Sequence, residues 1–178
     1  MEEIWYRRGM MPAENAPDRV AQIMEEWRRE RPDIDPSPQG VIGRLHRLAL
    51  ALTAQITPVY GEWGLSEAEF DLLATLRRAG APYARPAGEL AGHTMVTTGG
   101  LTKRVDRLIE RGLVERDAAA DDARRRLVRL TPAGLDVIDE AFAAHMANEH
   151  RLISELGATD AAALEPILSR WLDILDDA

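Results

Sequence analysis

Three kinds of side chain in this sequence have the types and spacing to do chemistry. The first is cationic. Lys103 and Arg107 stand one helical turn apart, just after Thr97, Thr98 and Gly99, and Arg124, Arg125 and Arg126 follow Asp121 and Asp122 as a run. Ammonium and guanidinium groups neutralise phosphate, while threonine hydroxyls donate to phosphate or base edges. The second kind is acidic: Glu67 with Glu69, and Asp121 with Asp122. Such pairs could serve acid–base catalysis, but these fall at a helix start and a turn tip, where little shifts a pKa. No nucleophile motif or phosphate loop accompanies them, so an enzyme is not the reading. The third kind is imidazole. His46, His93, His145 and His150 include no pair with zinc-like spacing and a third ligand, and the chain has no cysteine. No metal or other cofactor is implied.

The elements that must position these residues follow from periodicity. Residues 1–17 show no period and read as a mobile lead-in. Asp18 is a candidate N-cap for a short helix with Val20, Ile23, Met24 and Trp27 on one face. Prolines make 31–38 a stiff connector, and a long helix is expected from Pro38 to about Trp63, bent near Pro58. Ser66 with Glu69 forms a capping box for a helix carrying Phe70, Leu73 and Leu76, closed by Gly80. A short helix is expected from Pro86 to Ala91. Thr97 is the expected cap of the next helix, which turns Leu101, Val105 and Leu108 inward and ends at Gly112. The period then becomes strand-like over 113–116 and 126–130, giving a two-stranded hairpin. Thr131-Pro132 opens a long helix, and Thr159 opens the last one.

With Leu101 at the centre of the buried face and about 100° per residue, Gly99, Lys103, Asp106, Arg107 and Glu110 point outward. That is the surface a recognition helix offers to a major groove. Glycines 99 and 100 in a first helical turn cost about 1 kcal/mol each relative to alanine; a helix pressing its backbone onto DNA has a reason to carry them. Arginines on the hairpin suit a minor groove, with Asp122 placed to hold Arg124.

Charge supports this reading once it is resolved along the chain. The whole is acidic, at −8. Residues 85–131 carry 10 basic and 7 acidic groups, whereas 132–178 carry 2 and 10. The one basic segment is therefore the helix–turn–helix and hairpin. No apolar run approaches the ~18 residues of a membrane span, and the N-terminal stretch lacks the apolar middle of a signal peptide. A cytoplasmic location is expected.

The fold class expected is mainly α with a small β-hairpin wing: a winged helix–turn–helix flanked by N- and C-terminal dimerisation helices. Four regions follow: the lead-in 1–17, an added N-terminal helix and first dimerisation helix over 18–63, the DNA-binding region 64–131, and C-terminal dimerisation helices over 132–178. A winged-helix module that makes protein contacts without DNA is the competing class.

The run GELAGHTMVTTGGLTKRVDRLIERGLVERDAAADDARRRLVRLTPAG strongly resembles the MarR family of transcriptional regulators. Its wing pattern is Asp122, Arg124, then Leu130-Thr131 before Pro132 and Gly134. The resemblance implies a homodimer, probing successive major grooves of a palindromic double-stranded operator with one recognition helix per subunit, and a repressor in most cases. It assigns DNA contact to Thr97, Thr98, Gly99, Lys103, Arg107, Arg124 and Arg125. The run EEWRRERPDIDPSPQGVIGRL further resembles the urate-responsive branch, which adds an N-terminal helix. Residue-by-residue matching then implies an effector site of Trp27, Asp71, Arg104 and Arg116. Such a set suits a small planar anion: guanidiniums fork onto oxyanions, the indole walls the site, and Asp71 is repelled. Phenolic and organic acids are the alternative effectors.

Overall fold

A computed structural model of the chain describes residues 16–94, 100–116 and 127–176. It divides into two compact units, residues 1–53 and 54–178. In the first unit, α1 (Arg19–Glu30) begins at the expected cap, where the Asp18 side chain accepts a hydrogen bond from the Ala21 backbone N–H. Asp18 also receives a fork from Arg44 of α2 (Gln39–Gly61), at 2.7 and 3.2 Å. Val20 is buried, Ile23 and Met24 are half-buried, and Trp27 is 49% exposed. The apolar stripe thus fades along the helix before it reaches the indole.

The second unit is built on a shared core. The last turns of α2 bring Tyr60 onto Phe70 of α3 (Glu67–Arg77), with ring centroids 4.2 Å apart. The capping box of α3 is complete: Ser66 accepts from the Glu69 N–H, and the Glu69 carboxylate takes the Ser66 N–H. Leu72, Leu73 and Leu76 are fully buried, because α3 is surrounded by neighbours rather than lying on a surface. Next come β1 (Ala84–Pro86), α4 (Ala87–His93), α5 (Leu101–Glu110), β2 (Val114–Arg116) and β3 (Leu127–Leu130). The two long helices are α6 (Pro132–Leu156), capped by Thr131, and α7 (Ala158–Asp176).

The structure corrects the sequence reading in three places. The sheet has three strands, ordered β1-β3-β2 and antiparallel, rather than the two of a simple hairpin. Three residues ending in proline carry no alternation to detect, and proline fits there because β1 is an edge strand. The short helix runs over 87–93, through Gly92. The recognition helix starts at Leu101, with Gly100 as its N-cap at φ +79°, so Thr97 does not cap it. Gly100 thus sits in a left-handed turn where glycine is favoured, not in a helical first turn that it would weaken. Thr97, Thr98, Gly99, Arg124 and Arg125 lie outside the described residues.

The Thr131-Pro132-x-Gly134 pattern has a physical reason. Thr131 caps α6 through the Gly134 N–H, and its hydroxyl donates to the Gly112 carbonyl at 2.7 Å. A Cβ at position 134 would lie 1.9 Å from the Leu113 carbonyl oxygen. Only a glycine lets α6 leave the wing at this angle.

Candidate nucleic-acid interface and effector site

α5 divides its side chains between two tasks. Val105 and Leu108 enter the core, while Thr102, Lys103, Arg107 and Glu110 are exposed. Gly100, Lys103, Arg104, Asp106, Arg107 and Glu110 line a shallow open depression on this outer side. The Arg107 Nε lies 3.4 Å from a Glu69 carboxylate oxygen, yet its side chain stays 60% exposed. Glu69 thereby steadies a cation that still faces solvent. Arg111, at the helix end, donates to the backbone carbonyls of Gly64 and Trp63 at 2.9 Å each. It fastens the turn between α2 and α3 to the end of α5.

The residues matched to an effector site are placed as follows. Asp71 is 7% exposed on α3, and its Oδ1 lies 3.8 Å from the Arg78 guanidinium. Arg104 is half-buried on α5. Arg116 lies on β2 and donates to the Asp106 carboxylate at 2.7 Å. Asp106 lines the outer depression, as the helix geometry led one to expect, and its side chain is held there by the guanidinium that the wing strand delivers beside it. Trp27 belongs to the first unit. Asp71, Arg104 and Arg116 all belong to the second, on α3, α5 and β2.

Two participants escaped the sequence reading. Arg78, just past the end of α3, contacts Asp71 and also donates to the His93 carbonyl at the end of α4. Thr75 donates to the same carbonyl at 3.3 Å. A carboxylate on α3 is thereby linked to the helix that leads into the recognition helix. Seven residues separate Asp71 and Arg78, beyond the i, i+3 and i, i+4 spacings that mark a pair on a helix, so the sequence carried no signal for this contact. The other is Asp106, whose partner is distant in sequence and adjacent only through the sheet.

No helix of the described residues is long and apolar enough to cross a membrane, and no group of three or more potential metal ligands occurs among them.

Residues 63–125 match the model of the MarR family, the stretch from the start of the helix–turn–helix into the wing. The HTH-type transcriptional regulator PecS of Dickeya dadantii is 36% identical over 151 residues, covering 85% of this chain and 91% of that protein. The crystal structure of wild-type MarR from E. coli, in its apo form, superposes with a TM-score of 0.60 at 28% identity, covering 73% of this chain and 96% of that one. NadR, solved in complex with 4-hydroxyphenylacetate, shares the fold with a TM-score of 0.62 at 22% identity, covering 76% and 96%. The winged three-stranded sheet, the exposed basic face of α5 and these likenesses agree: the chain belongs to the MarR family of DNA-binding transcriptional regulators.

Proposed function

We propose that the protein is a homodimeric repressor that binds a palindromic operator and is released from it by a small planar anion such as urate. The observation that carries this reading is the division of α5. One helix presents Lys103 and Arg107 outward, while its Asp106 is held by Arg116 of the wing and its Arg104 is half-buried. A ligand that engaged Arg104 or Arg116 would act on the DNA-reading helix directly. DNA contact falls to Thr97, Thr98, Gly99, Lys103 and Arg107 from the helix region, and to Arg124 and Arg125 from the wing. The effector falls to Asp71, Arg104 and Arg116 of the second unit.

The release step has a physical route. An anion drawn to Arg116 competes with the Asp106 carboxylate, and its charge repels Asp71. Asp71 contacts Arg78, which also holds the end of α4. Movement of Asp71 therefore reaches α4, while loss of the Arg116–Asp106 pair acts on α5. The coupling required is on the order of 1–3 kcal/mol. A carboxylate ligand is held by NadR, which supports an anionic effector here. The dimer reading is supported by α7, which fully buries none of its side chains and leaves Leu172, Ile174 and Leu175 about 60% exposed. Apolar surface of that kind calls for a partner.

The test is release of DNA taken from upstream of the protein's own gene, titrated with urate, xanthine, salicylate and citrate. Urate should release the complex, and Arg116→Ala should weaken that response about tenfold or more. An unchanged response in Arg116→Ala would sink the effector site, and absence of sequence-specific binding would sink the repressor.

A further inference from the structure

We infer that Glu69 is a positioning residue for sequence reading: through one carboxylate oxygen it orients Arg107, so that the terminal fork of that arginine meets the edge of a guanine rather than a phosphate. This deepens the DNA-binding reading above and rests on it, because it takes Arg107 as a DNA contact.

The two oxygens of Glu69 are divided between two helices. Oε2 accepts from the Ser66 backbone N–H at 2.9 Å and from the Ser66 hydroxyl at 2.7 Å. These bonds fix the side chain against the first turn of α3, where the residue is 7% exposed. Oε1 is left facing α5, 3.4 Å from the Arg107 Nε. A carboxylate tied into a capping box cannot follow a mobile partner, so the arginine must come to it. Neighbouring Arg111 spends its Nη1 and Nη2 on the Gly64 and Trp63 carbonyls, which makes it a clasp between backbones. Arg107 is different: its side chain stays 60% exposed beside a fixed carboxylate.

Geometry, charge and entropy then favour a base edge. With Nε turned to Glu69, the donors left for a partner are the terminal Nη1 and Nη2 groups, whose parallel N–H bonds match the O6 and N7 acceptors of guanine. Glu69 and the exposed Glu110 line the same shallow depression as Arg107 and offset its charge. That weakens its pull on a phosphate, which answers to charge, more than its directed bonds to a neutral base. An unrestrained arginine also loses rotamer freedom on contact, whereas one already held loses less. Lys103, a point charge on the same exposed face, suits phosphate instead.

Anisotropy titrations of the full chain test this, on operator DNA from upstream of its own gene, on operators with each G·C pair replaced in turn, and on a scrambled duplex. Wild type should lose about tenfold or more in affinity at one guanine position of the half-site. Arg107→Ala should bind the intact operator and that substituted one within about threefold of each other. Glu69→Gln keeps an acceptor for the Ser66 N–H but offers Arg107 no charge. It should cut discrimination at that same position by about threefold or more, while binding the scrambled duplex at least as tightly as wild type. A protein that merely folds less well weakens on every duplex, so the two results together separate orientation from structure. In the Arg107→Ala background, Glu69→Gln should cost the operator no further affinity; a further loss would show Glu69 acting elsewhere and overturn the inference. Equal weakening of all duplexes by Glu69→Gln, or discrimination left at wild-type strength, overturns it too. So does uniform weakening with a flatter salt dependence in Arg107→Ala, which would put this arginine on phosphate and leave the repressor reading standing. Absence of sequence-specific binding by wild type overturns both.

Discussion

At the scale of the residue, Glu69 shows how competing effects are decided. Burial pushes its carboxyl up, but the backbone and side-chain bonds from Ser66 and the nearby positive charges of Arg107 and Arg111 outweigh it, leaving the carboxyl below its ordinary value. A carboxyl depressed in the folded state stabilises the fold above its unfolded pKa, and that contribution is lost as pH falls through the folded value. Glu69→Gln keeps a capping side chain but removes the charge. It should lower stability by about 1–2 kcal/mol at neutral pH, and the difference from wild type should shrink as pH drops below about 4.3. Thermal unfolding between pH 3 and 7 reads this; a constant gap would show that the charge contributes nothing. Single residues were legible in sequence where the partner is local. The capping box is an i, i+3 pattern and was readable. The Asp106–Arg116 pair was not, because it depends on a wing strand turning back beside the recognition helix.

At the scale of the element, helices with caps and periodic apolar faces were readable, whereas β1 was not. Its pairing is set by β3, more than 40 residues later in the chain, and its own three residues carry no pattern. The start of α5 was misplaced because two glycines hide where a helix begins, and only the φ of +79° at Gly100 decides it. The wing-to-α6 junction shows the opposite case: a residue whose type was noted by resemblance but whose reason is geometric. At Gly134 an added Cβ would meet the Leu113 carbonyl oxygen at 1.9 Å and its carbon at 2.8 Å, and both are backbone atoms. Neither can rotate away, so the helix and the strand must separate. Gly134→Ala should destabilise the protein by about 1–3 kcal/mol, although alanine is the better helix former in isolation. Chemical denaturation measures this, and a neutral or stabilised variant would show that the junction yields more easily than its packing implies.

At the scale of the whole molecule, the charge of −8 poses the problem of how an acidic protein holds DNA. The 132–178 segment supplies 10 acidic groups against 2 basic ones, while residues 85–131, with 10 basic and 7 acidic groups, are the one net-positive segment. Such a chain has little to gain from DNA of the wrong spacing, because only the heads attract phosphate and the remainder repels it. Its affinity should therefore depend on two heads seated at once on one palindrome, and be steeply dependent on salt. Each phosphate contact contributes about 0.9 to the slope of log K against log[salt]. Lys103 and Arg107 are exposed on α5, and a dimer carries each of them twice. Lys103→Ala, or Arg107→Ala, should accordingly flatten the slope on operator DNA by about 1.8 per dimer if the residue contacts phosphate. If Arg107 reads a base edge instead, its loss should cost about 1–3 kcal/mol per contact at one operator position and leave the slope nearly unchanged. Fluorescence anisotropy across a range of salt, on the operator and on a scrambled duplex, separates the two roles. A slope and an affinity both unchanged in both variants would remove α5 from the interface and leave DNA contact to the wing.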